Sequence, residues 1–282
     1  MRILFLGDVV GRAGRTVVFE ELPRLKERYA PDFVILNGEN AAGGFGITET
    51  IFQDFRDAGV DVVTSGNHVW DQREALVFIE RTDRLLRPVN FPPGAPGRGT
   101  GLFTASNGAE VLVMNAIGRV FMADSDCPFQ AVDRELAACP LKTGADAVFI
   151  DFHAEATSEK QALGHYVDGR ASCVVGTHTH VPTADDQVLA GGTAYVSDVG
   201  MCGDYDSVLG MDKAEPISRF LTKIPGGRFE PSKNEASLSG LAVEIDDGTG
   251  LATAVSPVRR GGRLRPIEPQ IWSEPAVSAV SA

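Results

Sequence analysis

Residues 173–180 read Cys-Val-Val-Gly-Thr-His-Thr-His, an apolar run that ends abruptly in His178 and His180. The run 173–176 is short and has no polar alternation, as expected of a strand covered on both faces. Six further runs share the pattern: 3–6, 33–36, 60–64, 111–116, 148–151 and 194–197. Amphipathic stretches at 16–29, 48–58 and 73–80 lie between them. Strand–helix alternation of this kind predicts an α/β fold with right-handed crossovers.

Antiparallel strands are added later in the chain. Residues 87–100 are dense in Pro and Gly and read as a loop. Runs 101–104 and 111–116 flank Asn107-Gly108, a hairpin signal. Runs 238–245 and 251–258 flank Asp246-Asp247-Gly248 and predict a second hairpin. One domain is expected over residues 1–265. Residues 266–282, rich in Ala, Ser, Val and Pro, are expected as a poorly ordered tail. No internal repeat is visible.

Composition bounds the function. The chain has 282 residues, 43% hydrophobic and 23% charged, which allows a large core and is ordinary for a globular enzyme. No apolar run approaches the ~20 residues of a membrane span. The N-terminal stretch MRILFLGDVVGRAGR breaks at Gly7-Asp8 and has no cleavage-type site. It therefore reads as a buried strand and not as a signal peptide, and a cytoplasmic protein is expected. Cys127, Cys139, Cys173 and Cys202 show no C-x-x-C spacing and are expected as reduced thiols. The net charge of −12 argues against a nucleic-acid polymer as partner. A small phosphate ligand stays compatible, because bound cations can reverse the local field.

Five segments place metal-competent residues directly after an apolar run. They are Gly7-Asp8, Gly38-Glu39-Asn40, Gly66-Asn67-His68, Asp151-Phe152-His153 and Gly176-Thr177-His178-Thr179-His180. Ligand sites of α/β sheets lie at the carboxyl ends of the strands, so the five should converge. Four of the five histidines in the chain, His68, His153, His178 and His180, fall in these segments. The fifth, His165, follows Ser158 in a helical stretch and reads as structural. Asp8, Glu39, Asn40, Asn67, His153, His178 and His180 make seven candidate ligands, more than the four of a tetrahedral site. Two transition-metal ions are therefore expected. Mixed imidazole, carboxylate and amide donors suit iron or manganese, and also zinc. Glu39, central in the set, would be the bridge that holds two ions ~3.5–4 Å apart. Other readings stay open at single positions. Asp8 also reads as a helix N-cap, Gly38-Glu39-Asn40-Ala41-Ala42-Gly43-Gly44 as a plain turn, and Asn67 as an ordinary turn residue. Gly43-Gly44-Phe45-Gly46 lacks the Lys of a P-loop.

In order, GDVVG (7–11), NGEN (37–40), GNHVWD (66–71), DFHAE (151–155) and GTHTHVPTAD (176–185) resemble the calcineurin-like metallophosphoesterases. Within that superfamily they are most similar to the bacterial YmdB-like subgroup, over nearly the whole chain. The resemblance implies a four-layer αββα sandwich, with two central mixed β-sheets and helices outside. It implies hydrolysis of 2′,3′-cyclic nucleotides. It also implies Asp8, Glu39, Asn40 and His180 at one ion, and Glu39, Asn67, His153 and His178 at the other. His68 would be the catalytic histidine near the leaving group and not a ligand. Two features depart from the broad superfamily and agree with the subgroup: Asp8 is followed by Val9-Val10, not by x-His, and Glu39 stands where Asp is usual.

The expected reaction is attack of a metal-bridging hydroxide in line on a small phosphodiester, with His68 protonating the departing ribose oxygen. Asp71 reads either as the partner that orients His68 or as a helix N-cap before Arg73. The loop 200–208 reads either as overhanging the ions, with Tyr205 stacked on a base, or as plain surface. Two other functions fit the same residues. One is a phosphomonoesterase, for which only Arg12 offers a cation close to a motif. The other is a regulatory protein that senses a nucleotide with vestigial hydrolysis. The expected partner is a small phosphoester, with no membrane and no stable nucleic-acid partner. Homo-oligomerisation is compatible with the sequence.

Overall fold

The computed structural model describes residues 1–272. In chain order the elements are β1 (Arg2–Leu6), β2 (Asp8–Val9), α1 (Gly11–Tyr29), β3 (Phe33–Asn37), α2 (Glu49–Asp57), β4 (Val62–Thr64) and α3 (Ala75–Phe78). Then come β5 (Thr100–Thr104), β6 (Glu110–Ile117), α4 (Pro128–Ala138), β7 (Ala147–His153), α5 (Thr157–Tyr166) and β8 (Cys173–Thr177). The chain continues through β9 (Gln187–Val188), β10 (Ala194–Val196), β11 (Met201–Cys202), α6 (Ala214–Thr222), β12 (Leu238–Ile245) and β13 (Ala252–Arg260).

One sheet has the order β13-β12-β1-β3-β4, the other β5-β6-β7-β8-β10-β9, and β2 pairs with β11 alone. In the first sheet β1, β3 and β4 are parallel, and the hairpin β12–β13 joins antiparallel. In the second β6, β7, β8 and β10 are parallel between the antiparallel edges β5 and β9. Both sheets are mixed.

Side chains alternate along a strand, so each apolar run is divided between two cores. Ile3 and Phe5 of β1 and Phe33 and Ile35 of β3 meet Ala147 and Phe149 of β7 between the sheets. The rings of Phe5 and Phe149 stack there at 5.4 Å. Leu4, Leu6, Val34 and Leu36 turn the other way, onto Val18 and Leu22 of α1 and Phe55 of α2. Val148 and Ile150 of β7 pack on Val132 of α4 and Leu163 of α5. The result is helix, sheet, sheet, helix: the expected four-layer sandwich. Both faces of the central strands are covered, which explains their lack of polar alternation. Each fully buried Leu or Phe contributes about 1.5–3 kcal/mol.

Three boundaries differ from the expectations. Helix α1 starts at Gly11, not at residue 16, because Gly11 turns the chain out of β2 at φ +58°. Its N-cap is Val10, without a side-chain cap, so the capping alternative for Asp8 is corrected. The helix expected at 73–80 reduces to the single turn α3 and a 3₁₀ turn, Ile79–Arg81. Part of the expected tail is folded. Ile267 exchanges two backbone hydrogen bonds with Arg259, Glu268 pairs with Arg260, and Trp272 is buried against Tyr29. The folded body thus passes residue 265, because these side chains find partners on α1 and β13. The rest of the expected tail, 273–282, lies outside the described residues. Among the described residues no helix is long and apolar enough to cross a membrane.

Candidate metal centre

The five chemistry-bearing segments leave the same edge of the two facing sheets. Asp8 follows β1, Glu39 and Asn40 follow β3, and Asn67 and His68 follow β4. His153 ends β7, and His178 and His180 follow β8. Asp151, fully buried, ties the sheets together there. Its Oδ2 accepts from Asn37 Nδ2 at 3.0 Å and Thr64 Oγ1 at 2.6 Å, and its Oδ1 from Thr177 Oγ1 at 2.7 Å.

Around His153 several ligand-type atoms face one another. Its Nε2 lies 3.1 Å from Glu39 Oε1, 2.9 Å from Asn67 Oδ1 and 3.1 Å from His178 Nδ1. The ligand atoms of Glu39, His153 and His178 all lie within 4.8 Å of one another. One ring nitrogen carries at most one proton and cannot satisfy three neighbours. A second group adjoins the first. Asp8 Oδ2 is 3.4 Å from His180 Nε2 and accepts the His178 N–H at 2.9 Å. Asp8 Oδ1 and Asn40 Oδ1 are buried with no hydrogen-bond partner. The Asn40 amide nitrogen is spent on the Gly44 carbonyl at 3.1 Å, which leaves its oxygen free. Buried acceptors without donors are costly, and divalent cations would satisfy them.

The three clustered imidazoles are held by their other nitrogens. Thr177 has one hydroxyl proton and gives it to Asp151, so its oxygen accepts from His153 Nδ1 at 2.9 Å. His178 Nε2 faces Glu155 Oε2 at 3.2 Å, and His180 Nδ1 donates to the Leu209 carbonyl at 2.9 Å. Each outer N–H is occupied, so each inner nitrogen can present a lone pair. That is the arrangement a metal-binding histidine requires.

The turn that carries His178 and His180 is strained, at φ 95° and 64° respectively. For residues with a side chain such conformations cost about 1–3 kcal/mol. Thr179, between them, is clamped by Asp198, whose Oδ2 accepts from the Thr179 N–H at 3.1 Å and its hydroxyl at 2.7 Å. Asp198 Oδ2 also pairs with Lys160 Nζ at 2.8 Å, both side chains being 1% exposed. Gly66 is a second tight point. A Cβ there would come within 2.3 Å of Glu39 Oε2 and 2.4 Å of the His153 ring.

Charge is concentrated without solvent to screen it. Burial, then the carboxylates of Glu39, Asp198 and Asp151, push Asp8 well above the usual carboxylate range, against the pull of His153. Burial alone would raise Glu39 too. The charge and hydrogen bond of His153, with His68 behind, outweigh it and hold Glu39 at about 2. Burial alone would lower His153, but Glu39, Asp8 and Asp151 lift it to about 9. Burial, then His153, depress His178 to about 3. Burial also lowers His180. In the absence of cations, a proton on His153 is the counterion of these carboxylates.

The remaining candidates fall into place around this cluster. His68 stands beside it, its side chain 29% exposed, with Nδ1 2.8 Å from Asp71 Oδ2. Asp71 is therefore the partner of His68 and not a helix cap. The His68 N–H donates to Glu39 Oε2 at 3.1 Å, and its ring meets the edge of Phe45 at 5.1 Å. His165 lies in the last turn of α5, away from the cluster. Tyr205 sits half-buried in the loop 200–208. Its hydroxyl is tied to the N–H and carbonyl of Met201, which occupies it inside the loop. The loop reaches the site just beyond, through the Leu209 carbonyl. The four cysteines are free, and none is in the cluster. Glu155, Thr177, Lys160 and Asp198 were not singled out from the sequence. Only Glu155 and Thr177, inside quoted motifs, carried any signal.

A model of the family described as YmdB-like protein matches residues 4–258. The chain is 50% identical over 258 residues to a 2′,3′-cyclic-nucleotide 2′-phosphodiesterase of Bacillus subtilis (strain 168), covering 92% of this chain and 96% of that one. It is 36% identical over 268 residues to a putative phosphatase/phosphodiesterase of Mycoplasma pneumoniae, covering 92% of each. The fold matches a hypothetical protein of Thermus thermophilus with TM-score 0.86 and 42% identity, over 93% of this chain and 100% of that one. It also matches a phosphatase of Mycoplasma pneumoniae with TM-score 0.85 and 34% identity, over 93% of each chain.

Proposed function

Because this chain belongs to the YmdB-like protein family, we propose that it is a metal-dependent phosphodiesterase acting on small phosphodiesters, nucleoside 2′,3′-cyclic phosphates first among them. The observation that carries this reading is the cluster of Glu39, Asn67, His153 and His178 beside Asp8 and His180, with two orphaned acceptor oxygens at Asp8 and Asn40. The proposed ligands are Asp8, Glu39, Asn40 and His180 for one ion, and Glu39, Asn67, His153 and His178 for a second, with iron or manganese as the metal. Divalent ions bound there supply Lewis acidity toward a phosphoryl oxygen and water of lowered pKa.

The chain's own residues do the remaining work. Glu39 stays ionised beside His153 and is available to both ligand sets. Asp151, through Thr177, keeps the His153 ring aimed. Asp71 holds the His68 Nδ1–H, which leaves His68 Nε2 to carry the proton that the departing alkoxide takes. Two divalent ions against Asp8 and Glu39 leave excess positive charge, which suits the single negative charge of a diester. A monoester dianion would favour cationic side chains among the ligands. Arg15 binds the Ala41 carbonyl instead, and Arg12 bonds no residue of the cluster. The test is metal analysis of the purified protein, with rates on bis- and mono-p-nitrophenyl phosphate and on adenosine 2′,3′-cyclic phosphate. Two ions per chain and preferential turnover of the diesters support the proposal. A single tetrahedral zinc, or turnover of the monoester alone, overturns it.

A further inference from the structure

A cavity of about 680 Å³ borders the loop that carries Asn40, lined by Arg12, Arg15, Gly43, Pro231, Ser232 and Lys233. Three of its six lining residues are cationic, in a chain of net charge −12. Among the described residues, no carboxylate lies within ion-pair distance of Arg12 or Arg15. Arg15 is bonded to the Ala41 carbonyl, and burial and the like charge of Arg12 depress it, with Asp54 opposing. Among the described residues, Lys233 has only Glu230 as an ion-pair partner, 3.9 Å away and largely exposed. Arg12 and Lys233 also line a neighbouring cavity together with Glu20, Glu21 and Glu235, none of which lines this one. A further donor borders the space: the Gly43 N–H meets no protein acceptor among the described residues, and a Cβ at Gly43 would have nothing within 4 Å. Guanidinium groups with no carboxylate partner, beside a free backbone N–H, suit a phosphate group.

The wall of the cavity and the metal cluster share one loop, residues 39–43. Gly11, next to Arg12, donates its N–H to the Asn40 carbonyl at 2.9 Å. Ala41, held by Arg15, is two residues from Glu39, at most about 7 Å of backbone. In a nucleoside 2′,3′-cyclic phosphate the 5′ oxygen projects from the opposite end of the ribose to the cyclic diester. We propose that this cavity is a second phosphate subsite of the same active site, taking a phosphate on the 5′ oxygen while the cyclic diester lies at the metal cluster. The inference rests on the function proposed above. A 5′-phosphate on a mononucleotide and the linking diester of an oligonucleotide share this chemistry. The net charge of −12 favours the mononucleotide.

The experiment compares adenosine 2′,3′-cyclic phosphate with its 5′-phosphorylated form and with a dinucleotide ending in the cyclic phosphate, on the metal-loaded protein. The 5′-phosphorylated form should show about tenfold higher kcat/KM, as one charge-assisted contact provides, and the dinucleotide a smaller gain. A larger gain for the dinucleotide would make the oligonucleotide the source. Arg12→Ala should remove the gain while leaving the unphosphorylated substrate unchanged, and Arg12→Lys should restore part of it. Equal kcat/KM for the unphosphorylated and 5′-phosphorylated substrates in the native protein, or an equal loss on both in Arg12→Ala, overturns the subsite. Calorimetry with adenosine 3′,5′-bisphosphate and adenosine 3′-phosphate reads the same site without turnover. Tighter binding of the bisphosphate that Arg12→Ala abolishes would uphold the subsite even if neither cyclic substrate is cleaved. Absent cleavage would instead count against the phosphodiesterase function.

Discussion

Asn67 and His68 are adjacent in the chain yet face different tasks. The Asn67 amide oxygen joins the cluster around His153, while the His68 ring stays outside it on Asp71. His68→Ala should therefore retain its metal and lose turnover, by roughly 10²- to 10⁴-fold for a general acid. The deficit should shrink on bis-p-nitrophenyl phosphate, whose leaving group needs little protonation. Metal analysis and the two rates check this; metal loss in His68→Ala would refute the assignment. His153→Ala and His178→Ala should lose metal together with activity. Gly66 makes the opposite kind of test, because it contributes no functional group. A Cβ there would overlap Glu39 Oε2 and the His153 ring at 2.3–2.4 Å. Gly66→Ala should cost about 1–3 kcal/mol by overpacking and lower metal content. Chemical denaturation and elemental analysis read both effects, and unchanged metal content would show that the loop yields more easily than its geometry suggests.

At the scale of elements, the turn after β8 depends on a helix from another part of the chain. Lys160 of α5 reaches Asp198, and Asp198 clamps Thr179 between the two strained histidines. Removing one partner of a buried ion pair leaves an uncompensated charge, at about 3–5 kcal/mol. Lys160→Met should lose stability of that order in urea denaturation, and its metal affinity should fall as the turn relaxes. A loss below about 1 kcal/mol, far short of that range, would mean that Asp198 finds another donor. Strands and helices differed in how far the sequence revealed them. β7 was expected to end at Asp151 but continues through His153, because its pairing with β6 and β8 extends that far. The apolar runs were legible because burial on both faces leaves a local trace in every residue. Helices α4 and α6 were not read, and α3 is a single turn; α6 buries only Pro216 and so carries no apolar core stripe.

At the scale of the molecule, four carboxylates, Asp8, Glu39, Asp151 and Asp198, are buried at one edge of the sandwich. Lys160 and protonated His153 are the cations buried with them. With His153 at about 9 in the metal-free protein, its imidazolium contributes stability that is fully present below the unfolded value near 6.5. That contribution fades as pH rises through about 9. A metal ion must displace this proton. Metal loading near pH 7.5 should thus release about one proton, and affinity should rise with pH toward about 9. Calorimetry in two buffers of different ionisation enthalpy measures the release; no proton release would place the imidazolium elsewhere. Chelation should lower Tm, since the orphaned oxygens of Asp8 and Asn40 lose their partner.

The sequence by itself determined that the chain is α/β and that its metal-competent residues gather at one edge. Both follow from local rules: short unbroken apolar runs mark strands covered on both faces, and polar residues follow at the strand ends. Tertiary structure alone decided which sheet faces which, and so brought Asn37 of β3 within 3.0 Å of Asp151, 114 residues away. It also chose the groups that aim each imidazole (Thr177, Glu155 and the Leu209 carbonyl) and placed Arg12, Arg15 and Lys233 around one cavity. Arg12 and Arg15 are three apart on α1, a helical spacing, but Thr177, Glu155, Leu209 and Lys233 lie at no spacing from their partners that a helix or strand period encodes. They meet because two sheets packed across a shared core carry distant strand ends to the same point.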